Sequence, residues 1–490
     1  GDEEAPVTRA IRRIGLACTA LMLALAGQLT YLQVFHAEEL ANDPRNVRKA
    51  IRDFSRPRGD IVTADGQVVA RSVPDEDDGD DFDLQREYPQ ADLFAHIVGY
   101  QSFVFGNAGV ENTYNDELVG RDLELDLKNL GDIFAGKENT GSVVLSITTE
   151  AQALARDLLG GQRGSIVALD PKTGAILAMY SNPTYDPNPL AGHDTDTVQA
   201  FGQQLQQDPN KPDLARAYRE RYPPGSTFKI VTASVALETG VVTPDTPFPA
   251  VREIDLPQTN DTLSNFATLT CGGTVAESFR QSCNTTFGAI GLQLGDSFVP
   301  GMEAFGIGSE PPLDLRPGAA ASGGPPAGSF QQNQPLFAFA GIGQGDVFTT
   351  PLQLALVGAA VANGGTIMKP HVMAEITDAD GGRVRGFDDE AWKTAMSPGT
   401  AETVKGMMVS VVQAGTGTAA QIPGVTVAGK TGTAQNEITS PHSWFVGFAP
   451  AEDPQVVVAV LIEGGGSAGG DATGGRVAAP LARQMLELLL

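Results

Sequence analysis

The chain has 490 residues, a formal net charge of −26 at pH 7 and 41% hydrophobic residues. This length exceeds one ordinary domain, and the apolar fraction suffices for a packed core, so we expect two or three structural units. The negative charge argues against nucleic acid as a partner, because nucleic-acid binding needs a basic surface. It also argues against broad attraction to anionic lipids. The acidic run from Asp75 to Asp83 is typical of a solvated loop.

A mainly apolar segment without charges extends over residues 14–35 and follows three arginines. About 20 such residues suffice for a helix to cross the hydrocarbon core of a membrane. A cleaved signal peptide is the alternative, since Ala24-Leu25-Ala26 resembles a cleavage site, but the continued apolar run favours a retained anchor. Basic residues also follow the segment, so charge alone does not fix its orientation. We predict a cytoplasmic tail (1–13), a transmembrane anchor (14–35) and an exported remainder.

The exported part divides by composition into two regions. Residues 37–150 are polar and carry no coherent catalytic cluster, which predicts an extended N-terminal pedestal or docking domain. Residues 151–490 alternate short strands with helices, which predicts an α/β fold of the α+β type, with helices flanking a central antiparallel sheet. The predicted elements are a strand pair over 165–179, a helix over 226–239, strands over 425–434, 444–449 and 456–462, a glycine loop over 464–475 and a final helix over 477–490.

Two cysteines, Cys271 and Cys283, lie close together in the exported region. Outside the cell a disulfide between them is feasible, and two reduced, buried thiols are the alternative. Neither cysteine has the spacing of a metal site, and the five histidines are scattered. The sequence therefore predicts neither a metal nor a cofactor.

The first chemical motif is Ser226-Thr227-Phe228-Lys229, which follows a Pro-Pro-Gly breaker at the start of the predicted helix. Residues three apart share one face of a helix, so the lysine amine can lie beside the serine hydroxyl. A serine nucleophile needs an adjacent base, and a buried lysine can serve because burial lowers its pKa. By itself the motif is weak, because a helix-capping serine with an exposed lysine gives the same pattern.

Two later motifs strengthen this interpretation. Ser282 and Asn284 form the single Ser-x-Asn of the chain, and they offer a proton relay and a carboxamide that both donates and accepts hydrogen bonds. Residues 430–433, Lys-Thr-Gly-Thr, lie on a predicted strand. Their cation and hydroxyls can hold a carboxylate, Gly432 allows close approach, and the strand edge can pair with an extended peptide.

These three motifs occur in the order found in β-lactamases and penicillin-binding proteins. The segments 222–229, 343–355 and 430–435, together with Arg58-Gly59 and Gly109-Val110-Glu111, resemble the class B penicillin-binding proteins. These are monofunctional peptidoglycan D,D-transpeptidases that act in elongation or division. The resemblance covers nearly the whole chain after the anchor, and the joint motif set is highly specific.

The resemblance implies a role for each matching residue. Ser226 attacks the penultimate D-Ala carbonyl of a stem peptide, Lys229 takes its proton, and Ser282 assists proton transfer. The substrate, or a β-lactam that mimics it, is held by Asn284, Lys430, Thr431, Gly432 and Thr433. The amides of Ser226 and Thr433 form the oxyanion hole. The resemblance also implies a separate membrane glycosyltransferase partner of the lipid-linked precursor polymerase type.

Alternative functions fit the sequence less well than transpeptidation. A β-lactamase is disfavoured by the long N-terminal region and by the lack of a recognisable deacylating glutamate motif, and a D,D-carboxypeptidase is a second hydrolytic alternative. A membrane-bound β-lactam sensor would carry several spans. A second Lys-Thr-Gly at 172–174 follows Asp-Pro and predicts a hairpin turn. The Gly-x-Ser-x-Gly at 465–469 lacks a later histidine, so it predicts a glycine loop and not a hydrolase elbow.

Overall fold

The computed structural model describes residues 6–31, 54–75, 82–122, 125, 140–435 and 440–490. The chain divides into two compact units. The first unit comprises Gly1–Arg56 and Pro74–Gln85, and the second comprises Pro57–Val73 and Arg86–Leu490.

One helix, Pro6–Thr30, dominates the described part of the first unit. Its segment Ile11–Thr30 has a mean hydropathy of 1.4 and is long and apolar enough to cross a membrane. The predicted apolar span is therefore helical as far as it is described, and residues 32–35 lie outside the described residues. Residues 76–81 of the acidic run also lie outside them. The orientation of the helix stays a prediction.

Strands from both sides of residue 150 share one mixed sheet. Ser142–Leu145 pairs in parallel with Ile61–Val62 and antiparallel with Met373–Thr377. Ile61–Val62 pairs antiparallel with Val68–Pro74 across the turn at Ala64-Asp65-Gly66. The strand order is Arg383–Gly386, Met373–Thr377, Ser142–Leu145, Ile61–Val62, Val68–Pro74 and Leu84–Glu87. The proposed domain boundary at residue 150 stays a prediction.

The two N-terminal sequence patterns, Arg58-Gly59 and Gly109-Val110-Glu111, contribute to one buried ion cluster. The Nε atoms of Arg58 and Arg86 donate to the two carboxylate oxygens of Glu111 at 2.6 and 2.7 Å. The three side chains are only 2%, 2% and 0% exposed. At Gly59, an added Cβ would lie 2.0 Å from a backbone oxygen, so only glycine is accommodated beside Arg58. The Arg-Gly and Gly-Val-Glu patterns thus meet in space.

The central sheet of the second unit is five-stranded and entirely antiparallel. Its order is Ala428–Ala434, His442–Ala449, Val456–Ile462, Gly164–Leu169 and Ile176–Asn182. All five predicted strands are therefore present, and Ala428–Ala434 lies at an edge. The Lys-Thr-Gly at 172–174 forms the tight turn between two of these strands, with Gly174 at a φ of +86°. The predicted hairpin is confirmed.

Helices pack against this sheet, which confirms the predicted fold class. The apolar helix Pro351–Ala362 is almost fully buried against the central strands, and the final helix Gly474–Leu489 contacts His442–Ala449 and Val456–Ile462. The other helices of seven or more residues are Thr149–Leu159, Thr195–Gln207, Lys229–Glu238, Val275–Gln281, Asn284–Leu294, Phe298–Ala304, Gln334–Ala340 and Pro398–Ala414. Shorter helices are Ala95–Val98, Val110–Thr113 and Asn115–Leu118, and the remaining strands are Gln101–Ser102, Gly106–Asn107, Pro247–Val251, Glu253–Asp255, Thr262–Ser264, Cys271–Thr274, Thr366–Met368 and Ala391–Thr394.

Several predicted boundaries differ from the structure, and two of these differences concern the kind of secondary structure. The helix expected from Ser226 begins with a 3₁₀ turn, Gly225–Phe228, and becomes α-helical at Lys229. The glycine loop expected over 464–475 contains the kinked 3₁₀ segment Glu463–Asp471, and the final helix follows from Gly474. Four glycines in this segment have positive φ and non-helical backbone angles, so they interrupt the helical turns.

Candidate active site

The serine motif lies on a tight turn that packs against the Lys-Thr-Gly strand. Gly225 has a φ of +54°, and an added Cβ would lie 2.7 Å from the carbonyl oxygen of Thr433. The hydroxyl of Thr227 donates to the carbonyl of Pro224 at 2.7 Å, which closes the turn. Ser226 is consequently half-buried at the start of the helical segment, next to the edge strand of the sheet.

The amine of Lys229 is fully buried and contacts the Ser-x-Asn motif. Its Nζ donates to the carbonyl oxygen of Ser282 at 2.7 Å and to Oδ1 of Asn284 at 2.8 Å, and it lies 3.4 Å from the Ser282 hydroxyl. The ring of Phe287 lies below the amine, 5.5 Å from Nζ to its centroid. Two motifs 53 residues apart in sequence therefore meet at one amine.

A second buried amine, that of Lys430, also contacts the hydroxyl of Ser282. Nζ of Lys430 donates to the hydroxyl of Ser282 at 2.9 Å and to the carbonyl of Thr431 at 3.1 Å. The hydroxyl of Ser282 thus lies between the amines of Lys229 and Lys430. This arrangement joins all three sequence motifs in one cluster.

Burial lowers the pKa of both lysines. The pKa of Lys430 falls to about 7, and the pKa of Lys229 falls well below its ordinary value through burial and then through the nearby charge of Lys430. Across the described part of the chain, neither amine forms an ion pair with a carboxylate that would restore its charged form. A lowered pKa favours the neutral form of an amine, which is the form that a general base requires.

Ser282 occupies a constrained backbone position. It follows the helix Val275–Gln281 with a φ of +64°, a left-handed conformation that a residue other than glycine rarely adopts. The next residue, Cys283, is joined to Cys271 in a disulfide with a Cα–Cα distance of 5.5 Å. The disulfide therefore lies directly beside Ser282. Its presence in the exported protein stays a prediction.

The Lys-Thr-Gly strand presents different groups to different neighbours. An added Cβ at Gly432 would lie 2.9 Å from both the carbonyl oxygen of Pro224 and Cγ2 of Thr227, so glycine permits the close packing of the serine turn. The hydroxyl of Thr431 lies 2.6 Å from that of Thr416, and the hydroxyl of Thr433 accepts from the amide of Gly474. Lys430 thus joins the amine cluster, whereas both threonine hydroxyls contact residues outside it.

Residues outside the predicted motifs also hold the serine turn. The hydroxyl of Tyr222 donates to Glu463 at 2.6 Å, and Glu463 also accepts from the buried Arg216 at 2.9 Å. The indole of Trp444 donates to the carbonyl of Pro223 at 3.0 Å. Trp444 is fully buried and belongs to the core. No sequence signal linked Glu463 to Tyr222, because they lie 241 positions apart.

Comparison with family models identifies the class of protein. The model of the penicillin binding protein transpeptidase domain matches residues 164–487, and the model of the penicillin binding protein A dimerisation domain matches residues 58–144. The chain belongs to the class B penicillin-binding proteins, a family of serine transpeptidases.

Similar proteins cover the chain almost completely. The peptidoglycan D,D-transpeptidase PbpA of Mycolicibacterium smegmatis is 38% identical, and that of Mycobacterium tuberculosis is 36% identical, each over 98% of both chains. Among solved structures, the ceftriaxone acyl-enzyme complex of penicillin-binding protein A from M. tuberculosis superimposes with a TM-score of 0.82 at 34% identity. This match covers 90% of the present chain and 100% of the other.

Proposed function

We propose that this chain is a peptidoglycan D,D-transpeptidase that cross-links stem peptides through an acyl-enzyme on Ser226, in cell elongation or division. The names of the relatives and the β-lactam acyl-enzyme of a similar structure support this function. The observation that carries it is the convergence of two buried amines on the hydroxyl of Ser282, beside the turn that bears Ser226.

The hydrogen bonds of Lys229 support its role as the base. A neutral amine has two N–H donors and one lone pair. Both donors are occupied, by the carbonyl of Ser282 and by Oδ1 of Asn284. The lone pair of the neutral amine would then accept the proton of Ser226. As that proton moves to Lys229, the Ser226 Oγ–carbon bond forms. The amides of Ser226 and Thr433 would stabilise the oxyanion, and one such donor is worth about 2.7–4 kcal/mol of barrier.

The proton then has a route to the leaving group. It passes from Lys229 through the hydroxyl of Ser282 to the nitrogen of the terminal D-Ala as the carbon–nitrogen bond breaks. In the second half-reaction an acceptor amine attacks the ester, gives up a proton along the same route in reverse, and restores the Ser226 hydroxyl. The cycle forms one amide for the amide broken, so it needs no cofactor.

Recognition of the substrate is assigned to the edge strand. The charge of Lys430 and the hydroxyls of Thr431 and Thr433 would bind the terminal carboxylate of D-Ala-D-Ala or the carboxylate of a β-lactam. The strand lies at the edge of its sheet, which leaves backbone groups available to an extended peptide. Gly432 belongs to this strand, and its lack of a Cβ lets the serine turn pack against it.

The apolar helix near the N-terminus supports a single-pass membrane location. We place the catalytic domain on the extracytoplasmic face, where peptidoglycan is cross-linked. On this topology residues 1–13 are cytoplasmic, residues 37–150 are the pedestal and residues 151–490 are the transpeptidase domain. We include a membrane glycosyltransferase partner, because the enzyme needs nascent glycan strands as substrate. Co-purification of glycan-polymerising activity with the full chain from membranes tests this partner, and purification of the chain free of such activity would argue against it.

An exchange reaction tests the activity directly. The donor is a synthetic stem peptide ending in D-Ala-D-Ala, and the acceptor is a fluorescent amine. We expect wild type to form the labelled peptide, Ser226→Ala to form none, and Lys430→Ala to be strongly impaired. Lys172→Ala is the matched control, because it changes the other Lys-Thr-Gly, whose exposed lysine pairs with Asp453. Release of free peptide acid in place of the labelled product would identify a hydrolase and contradict the proposal.

A further inference from the structure

The helix that carries Asn284 begins without a cap of its own. It runs from Asn284 to Leu294, and its N-cap residue is Cys283, whose side chain makes no capping hydrogen bond. The sulfur of Cys283 is bonded to Cys271. The first N–H groups of a helix have no partner within it, so they must find an acceptor elsewhere.

Asn265 supplies that acceptor from a neighbouring hairpin. Its Oδ1 accepts from the amides of Asn284 at 2.7 Å and Thr285 at 3.0 Å, and from the hydroxyl of Thr285 at 3.3 Å. Its Nδ2 donates to the carbonyl of Val251 at 2.9 Å. The side chain is 6% exposed, so these hydrogen bonds are shielded from water. Asn265 thus fastens the start of the helix to the hairpin.

Ser264, the residue before Asn265, fixes the orientation of the Asn284 carboxamide. The carbonyl of Ser264 accepts from Nδ2 of Asn284 at 3.0 Å. Because the amide nitrogen is engaged there, the oxygen Oδ1 is directed to Nζ of Lys229, 2.8 Å away. A carboxamide turned the other way would present N–H donors to an amine that is itself a donor.

We propose that Asn265 is a positioning residue of the transpeptidase, which acts through Asn284 to hold the amine of Lys229 in place. The inference rests on the proposed function, because it assigns a role within the same site. In this account, Asn265 substitutes for the missing N-cap and keeps the first residue of the helix in register with the carbonyl of Ser264. Loss of Asn265 frees Asn284 to shift, and Lys229 then loses one of its two fixed acceptors.

The test is the acylation rate of the full chain with a fluorescent penicillin, measured by rapid mixing. Loss of a buried positioning hydrogen bond gives about a 10- to 100-fold slower acylation, so we expect this for Asn265→Ala. Asn265→Asp retains the acceptor oxygen, and negative charge is favoured at a helix N-terminus. Its second oxygen would replace the Nδ2 that donates to the carbonyl of Val251, so that hydrogen bond is lost. We therefore expect Asn265→Asp to acylate faster than Asn265→Ala but more slowly than wild type at pH 7.

A double-mutant cycle separates positioning from general weakening of the fold. If Asn265 acts through Asn284, then adding Asn265→Ala to Asn284→Ala slows acylation by less than about twofold. Asn363→Ala is a matched control, since it also removes a carboxamide that donates to a backbone carbonyl at a helix end, and we expect wild-type acylation from it.

The outcomes distinguish this inference from the proposed function. If wild type is not acylated at all, or if Ser226→Ala is, the proposed function fails. If wild type is acylated on Ser226 and Asn265→Ala reacts at the wild-type rate, only the positioning role fails. Equal slowing by Asn265→Ala in the presence and absence of Asn284 would also overturn it. If Asn265→Ala does not fold, acylation of Asn284→Ala at the wild-type rate would overturn it as well, because Asn265 would then have no residue to act through.

Discussion

Replacement of Glu111 by glutamine should strongly destabilise the second unit while leaving the shape of the side chain unchanged. Glu111 is fully buried and accepts from two guanidinium groups, those of Arg58 and Arg86, which are themselves 2% exposed. Glutamine would leave two buried positive charges without a counter-ion. Breaking a buried ion pair in this way typically costs about 3–5 kcal/mol, and we expect a loss of that size in the free energy of unfolding.

An exposed pair of the same type supplies the control. Arg71 and Glu87 form an ion pair with side chains that are 51% and 41% exposed, so Glu87→Gln should cost only about 0–1 kcal/mol. Unfolding in urea is the suitable assay, because urea does not screen charges as guanidinium chloride does. A loss below about 1 kcal/mol for Glu111→Gln, equal to that of the control, would refute the assignment of the cluster as a stabilising element.

The same cluster predicts a dependence on pH. Burial by itself raises the pKa of Glu111, but the two arginines outweigh it and hold the pKa below the ordinary value of 4.5. A carboxylate with a lowered pKa stabilises the folded state above its unfolded pKa, and that stability is lost as the pH falls through the folded pKa. The difference between wild type and Glu111→Gln should therefore shrink below pH 4.5 and stay constant above it.

Three further predictions concern the site. Gly432→Ala should slow acylation by a fluorescent penicillin at least about 10-fold, because its Cβ would be forced against the serine turn, and wild-type acylation would contradict this. Acylation should decline on acidification through the folded pKa of Lys229, because protonation removes the base, and a rate that rises in acid would exclude this role. Mass spectrometry under non-reducing conditions should find Cys271 and Cys283 linked in the exported chain, and free thiols at both would contradict the disulfide.

Sequence reasoning reached the central sheet and the three motifs because their signals are local. The strand over 456–462 is an unbroken apolar run bounded by turns, and it has the same limits in the structure. The Ser226 and Lys229 pattern depends on one helical turn. The meeting of Lys229, Ser282 and Lys430 was inferred by resemblance, and it depends on packing between segments far apart in the chain.

The residues that hold the active-site motifs in place could not be predicted from the sequence. Asn265 lies 19 positions before Asn284, in a hairpin with no recognisable motif, and its role arises from tertiary contact. Glu463 falls between the predicted strand over 456–462 and the glycine loop over 464–475 and carries no motif, although it binds Tyr222 and Arg216. The α-helix predicted from Ser226 begins later in the structure, because the 3₁₀ turn Gly225–Phe228 precedes it. That turn depends on its packing against the Lys-Thr-Gly strand.

Peptide mapping by mass spectrometry after brief exposure to benzylpenicillin tests the central claim most directly. The account predicts a single covalent penicilloyl group on the peptide that contains Ser226, stable over minutes, and no adduct in Ser226→Ala. An adduct on any other residue, or an adduct that persists in Ser226→Ala, would contradict the assembly of these three distant motifs into one acyl-transfer site.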